Sequence, residues 1–156
     1  MDARTAILAR ARDAIARSQR GPVRPVPRDY IRVGEHAPGS PPVVADMVDK
    51  LEDYDAVVRT ESADAGIAEA IDDLLGEARL VVVPTGLPEA YKRAAARSGR
   101  ELVEDSPEQP IATLDLDRVD AVVTCSRVGI SISGTIVLDG EPDQGRRAIT
   151  LVPDRH

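Results

Sequence analysis

The residues with most chemistry to offer lie in the last third of this 156-residue chain. Gly129-Ile130-Ser131-Ile132-Ser133-Gly134-Thr135 begins like a phosphate-binding loop, with two glycines at the required separation. Such a loop needs Lys next, to reach the outer phosphates, and then Ser or Thr for the metal. Thr135 and Ile136 stand in those places and a strand follows where a helix is required, which argues against a nucleotide triphosphatase. The same stretch fails as a serine nucleophile elbow, because Ser133 stands where a second glycine is needed; Ser131 and Ser133 read as loop or cap hydroxyls. Cys125 follows a strand in Thr124-Cys125-Ser126-Arg127, where α/β sheets present ligand-binding loops. Arg127 would favour its thiolate, but no base accompanies it, so a buried filler is the preferred reading.

Arg146 and Arg147 offer two guanidinium forks beside Asp143 and Gln144, in a segment that Gly140 and Gly145 allow to reverse tightly. Two roles stay open: a grip on a carboxylate or phosphate ligand, or an intramolecular Arg–Asp clamp. Asp115 and Asp117 would share a face if extended, but near a helix start they read as caps. Asp72 and Asp73 read as a solvated helix face. One cysteine and two histidines, His36 and His156, cannot supply a four-ligand zinc or iron–sulfur site, so no cofactor site is expected in this chain.

The elements that must position these groups follow from periodicity. Residues 1–20 read as an amphipathic helical arm, with Ile7, Ala11, Ala14 and Ile15 on one stripe. Residues 21–42 are a proline-rich connector whose Ser40-Pro41-Pro42 fits a helix entry. Residues 43–156 form the main domain. There Val43–Asp53 reads as a helix and Asp55–Arg59 as a short strand. Ser62 is the expected cap of a helix burying Ile67, Ala70, Ile71, Leu74 and Leu75 and stopping near Gly76. Leu80–Val83 is an apolar run suited to a strand covered on both faces. A helix over Leu87–Arg97, a weaker strand at Arg100–Val103, one helical turn within Leu114–Val119 and a buried strand at Ala121–Thr124 come next. Thr135–Leu138 and Ala148–Val152 are expected to pair as an antiparallel hairpin across Asp139–Arg147. The fold class is α/β, finished by a C-terminal β-hairpin.

Composition narrows the function classes. Three Tyr with no Phe or Trp leave no stacking surface for single-stranded nucleic acid. A net charge of 20 − 27 = −7 opposes phosphate backbones and anionic lipid, so neither nucleic acid nor membrane is an expected partner. The charge is uneven: residues 1–32 hold eight Arg and three Asp, the remainder twelve basic and twenty-four acidic residues. The arm is therefore basic and the body acidic, and the simplest expectation docks one on the other. No signal core or apolar run of spanning length is present, and a cytoplasmic location is expected.

Gly134-Thr135-Ile136-Val137-Leu138-Asp139, Gln144-Gly145-Arg146-Arg147, Leu151-Val152-Pro153-Asp154 and His156 together resemble the C-terminal signature of the lactate-utilisation (LUD) domain family, on its protein C branch. Weaker likeness runs through Val81–Gly86, Asp120–Thr124 and the basic N-terminal helix. The resemblance implies a three-layer α/β fold of the type shared by ribose-5-phosphate isomerases, glucosamine-phosphate deaminases and coenzyme A transferases. It also implies an accessory role in oxidation of L-lactate to pyruvate, with iron–sulfur clusters in partner subunits. The ligand-binding candidates are Thr85, Gly86, Gly134, Thr135, Asp143, Gln144, Gly145, Arg146 and Arg147, and no catalytic residue is assigned. Two other functions are carried beside it: an enzyme or binding protein for an anionic small molecule of sugar-phosphate or acyl-coenzyme A type, and an inactive shortened homologue. The family usually has Glu-Thr where this chain has Ile132-Ser133, so any activity using that Glu has no counterpart here. The family also continues past the histidine, and a domain incomplete at its C-terminus is expected.

Overall fold

The computed structural model describes residues 2–18, 21 and 25–156. It divides into two units, Met1–Glu35 and His36–His156. In the first, helix α1 (Ala3–Arg17) starts where Asp2 accepts from the Thr5 N–H at 2.8 Å, a side-chain N-cap, and none of its residues is buried. Part of the expected 1–20 arm and 21–42 connector lies outside the described residues.

The second unit is built round a three-stranded parallel sheet of order β2–β1–β3. Strand β1 (Leu80–Pro84) is central, with β2 (Glu101–Asp105) and β3 (Ala121–Val122) on either side. The register sets Leu80 against Glu101 and Val81 against Ala121. Val81, Val82 and Val83 are fully buried, as an apolar run covered on both faces must be. On one face Val81 and Val83 pack with Leu75 of helix α3 (Asp64–Leu75) and Ala95 of helix α4 (Glu89–Ala95). On the other, Val82 packs with Leu116 of the short helix α5 (Thr113–Leu116) and with Ile149. Each of these Val, Leu and Ile side chains contributes about 1.5–3 kcal/mol. Helix α2 (Pro41–Glu52) begins as expected, with Ser40 as N-cap and proline in the first turn, and Gly76 is the C-cap of α3. Arg155 runs beside β3, its carbonyl accepting from the Val122 N–H at 2.8 Å.

Several local expectations are corrected. Asp55–Arg59 forms no strand: Asp55 turns with φ of +61°, the sheet's central strand already has both neighbours, and Arg59 instead reaches Asp73 at 3.1 Å. Ala63, not Ser62, is the N-cap of α3, without a side-chain cap bond, and Leu74 is exposed rather than in the stripe. Asp72 is no solvated residue, since it holds the buried Arg100 guanidinium at 2.6 Å. The C-terminal hairpin exists but pairs β4 (Val128–Ile130) with β5 (Thr135–Val137), Val128 opposite Val137. The Ser131–Ser133 turn and left-handed Gly134 (φ +62°) close it locally, so β5 needs no partner from further along. Ala148–Val152 does not form the expected strand: a 3-10 turn over Arg147–Thr150 drives Ile149 into the core.

Candidate functional site

The C-terminal ends of parallel strands are where an α/β sheet presents its loops, and the crevice opens where strand order reverses. Here that edge collects Thr85 and Gly86 after β1, Asp105 at the end of β2 and Cys125 beyond β3. One loop, Asp139–Arg146, crosses all three. The Gly86 N–H donates to the Pro142 carbonyl at 3.0 Å, the Cys125 N–H to the Asp143 carbonyl at 2.9 Å, and Arg146 reaches Asp105. A Cβ on Gly86 would overlap the Pro142 backbone, which is why the approach requires glycine. Gly145, at φ +70°, turns the chain with Ile149 and Pro84 against it.

The two arginines have different fates. Arg146 Nε and Nη2 donate to Asp105 Oδ2 and Oδ1 at 2.8 and 2.7 Å, and Nη2 also donates to the Ile111 carbonyl. The Asp105 side chain is 1% exposed and further accepts from the Ile111 N–H at 2.9 Å. The bidentate bond to Asp105 raises the Arg146 pKa above its ordinary value. The clamp is real, but its acid is Asp105 and not the neighbouring Asp143. Arg147 is exposed and, among the described residues, has no carboxylate within 4.0 Å.

Beside the clamp opens a cavity of about 620 Å³, whose lining includes Thr85, Glu108, Asp139, Arg147 and Thr150. Of the ligand-binding candidates from the sequence, Thr85, Gly145, Arg146 and Arg147 line it. Gly86 and Asp143 hold the crossing loop by their backbones. Gln144 is buried under that loop, its Oε1 accepting from the Asp139 N–H at 2.7 Å, a span that closes the turn. Gly134 and Thr135 lie elsewhere, at the hairpin turn: a Cβ on Gly134 would press on Lys50 of α2, and Thr135 Oγ1 bonds Ser133 Oγ at 2.8 Å. Asp105 and Glu108 escaped the sequence reading. For Asp105 the signal was the acidic pair Glu104-Asp105 following Leu102-Val103, just where a parallel strand hands over to its loop; Glu108 carried none.

Cys125 is half-buried, and burial first, then Asp143, raises its thiol pKa. Arg127 therefore does not activate it; that guanidinium lies 3.5 Å from Asp139 instead. Among the described residues no three His, Cys, Asp or Glu are grouped to hold a metal ion, and no helix is long and apolar enough to cross a membrane. What the arrangement offers is reversible binding: among the described residues, one unpaired cation, two hydroxyls and carboxylates stand round a cavity that Pro107, Leu138 and Pro142 also line.

No protein-family model matches the sequence. The chain is 44% identical over 108 residues to Lactate utilization protein C of Deinococcus radiodurans, a match covering 69% of this chain and 48% of that protein. It thus spans about half the length of the curated relative it matches. A crystal structure of a DUF162 family protein, also from Deinococcus radiodurans, aligns with TM-score 0.65 at 41% identity over 72% of this chain and 65% of that one. Agreement at this level in both sequence and backbone is homology, in the direction that the C-terminal segment resembles.

Proposed function

We propose that this chain is a LUD-domain protein acting as an accessory subunit in a cytoplasmic iron–sulfur system that oxidises L-lactate to pyruvate. The single observation that carries the reading is its 44% identity to Lactate utilization protein C. The reading gives the C-terminal sheet edge a binding part and assigns the redox centres to partner chains. The test is affinity capture of the tagged protein from lactate-grown cells of its source, together with deletion of its gene. Iron–sulfur proteins are expected in the capture, and growth on lactate is expected to fail in the deletion strain while growth on glucose continues. Capture without iron–sulfur proteins and normal lactate growth would overturn the reading.

A second reading has its own observation. Arg147 faces the 620 Å³ cavity with no acidic partner among the described residues, which suits a small organic anion held by the sheet edge. In that reading Arg147 meets the ligand, and Arg146 is a positioning residue that acts through Asp105.

A further inference from the structure

We infer that the cavity at the end of β1 and β2 takes an organic anion that carries several hydroxyl groups and is larger than a three-carbon acid. The inference rests on the reading of that cavity as an anion site and adds the ligand's class.

Three observations lead there. First, the groups facing the cavity make opposite demands. Arg147 only donates, so the ligand must bring an acceptor, and a negative one gains most. Glu108 and Asp139 are acidic side chains in the same lining; Asp139 is already paired with Arg127 at 3.5 Å, whereas Glu108 has no cation within 4.0 Å among the described residues, and an ionised carboxylate only accepts. A ligand carrying nothing but negative groups would be repelled by them. One with an anionic end toward Arg147 and a hydroxyl donor toward Glu108 satisfies both. Thr85 and Thr150 are hydroxyl residues in the same lining, and each hydroxyl oxygen can accept a further bond from a ligand OH.

Second, the other strong charges are already committed. Arg146 spends its fork on Asp105 and Ile111, so the cavity presents one anion grip rather than two. That favours a single carboxylate or phosphate group over a dianion gripped at both ends. Third, lactate would leave most of the cavity unfilled. A molecule of six non-hydrogen atoms fills on the order of 180 Å³ even at the volume each water takes in the liquid. The cavity is about 620 Å³, in the range of ligands with many more atoms.

Calorimetric titration of the full chain with D-gluconate, hexanoate and L-lactate tests the class, with Arg147→Gln and Glu108→Gln as variants. Both substituted residues are exposed, and thermal melts confirm that the variants fold. Gluconate is expected to bind at least tenfold more tightly than hexanoate or lactate. Arg147→Gln should weaken gluconate about tenfold or more, and Glu108→Gln should weaken gluconate several-fold without changing hexanoate. Hexanoate binding as tightly as gluconate, with both lost in Arg147→Gln, overturns the hydroxyl class and leaves the anion site standing. Lactate matching gluconate overturns the size argument. No binding of any of the three, or gluconate binding indifferent to Arg147→Gln, overturns the anion site itself.

Discussion

Asp105 is the residue on which the sheet edge turns. Its carboxylate is almost wholly enclosed and survives there because Arg146 supplies two parallel N–H bonds and Ile111 a third. Removing Arg146 leaves a buried negative charge with one backbone donor, a situation that costs several kcal/mol in proteins. Arg146→Ala is therefore expected to lower unfolding stability by about 3 kcal/mol, read as a fall in urea midpoint at unchanged slope. Arg147→Ala, which breaks no such pair, is expected to stay within about 0.5 kcal/mol of the parent. Equal losses in both would mean that Arg147 shares the clamp. From the sequence alone the two adjacent arginines were equivalent, because the acid that separates them is 41 positions away.

At the scale of elements, legibility tracked how much of an element's reason lies within its own residues. β1 was readable because three consecutive valines have no polar side to show, and α2 because Ser40, Pro41 and Pro42 state a helix start. β4 was missed although Val128, Ile130 and Ile132 alternate with small residues, a period of two hidden by glycine and serine. Pairing β5 with Ala148–Val152 looked equally sound locally; burial of Ile149 against Val82 decided otherwise, and that is a tertiary fact. The hairpin also packs on α2 through its turn, apart from the main sheet. Its integrity should therefore separate from that of the core. Gly134→Ala places a Cβ at φ +62° and against Lys50, a strain of about 1–2 kcal/mol. Amide exchange over residues 128–137 is expected to quicken about tenfold, with little change in exchange at β1. Leu116→Ala should do the reverse, costing about 2–5 kcal/mol globally and quickening exchange throughout the sheet. Uniform acceleration in both variants would show that hairpin and sheet unfold as one.

For the whole molecule, charge is the property that the sequence announced most plainly, and the structure gives it a mechanical use. The N-terminal edge of the sheet is tied by carboxylates. Asp120 accepts from the Arg79 and Leu80 N–H groups at 2.8 and 2.9 Å, joining β3 to the start of β1. Asp72 holds Arg100, whose guanidinium also bonds the Asp72 and Gly76 carbonyls and so closes the end of α3. Backbone N–H bonds hold the Asp120 carboxyl below the usual range, and the bond from Arg100 does the same for Asp72. A carboxyl whose folded pKa is depressed stabilises the fold above its unfolded value, about 3.9, and loses that contribution as pH falls through the folded one. Melting temperature is therefore expected to hold nearly level from pH 7 to about 5 and to drop steeply below about 4. Self-repulsion adds to the drop, since 20 Lys and Arg lose their counter-charges as the chain passes below its pI near 4.9. The two causes separate in the Asp72→Asn, Asp120→Asn double variant, which keeps almost the whole charge imbalance but lacks the titrating ties. It should melt lower at neutral pH and lose less on acidification, so that its curve converges on the parent's near pH 3. Curves that stay parallel down to that pH would assign acid unfolding to net charge and remove these two carboxylates from the account.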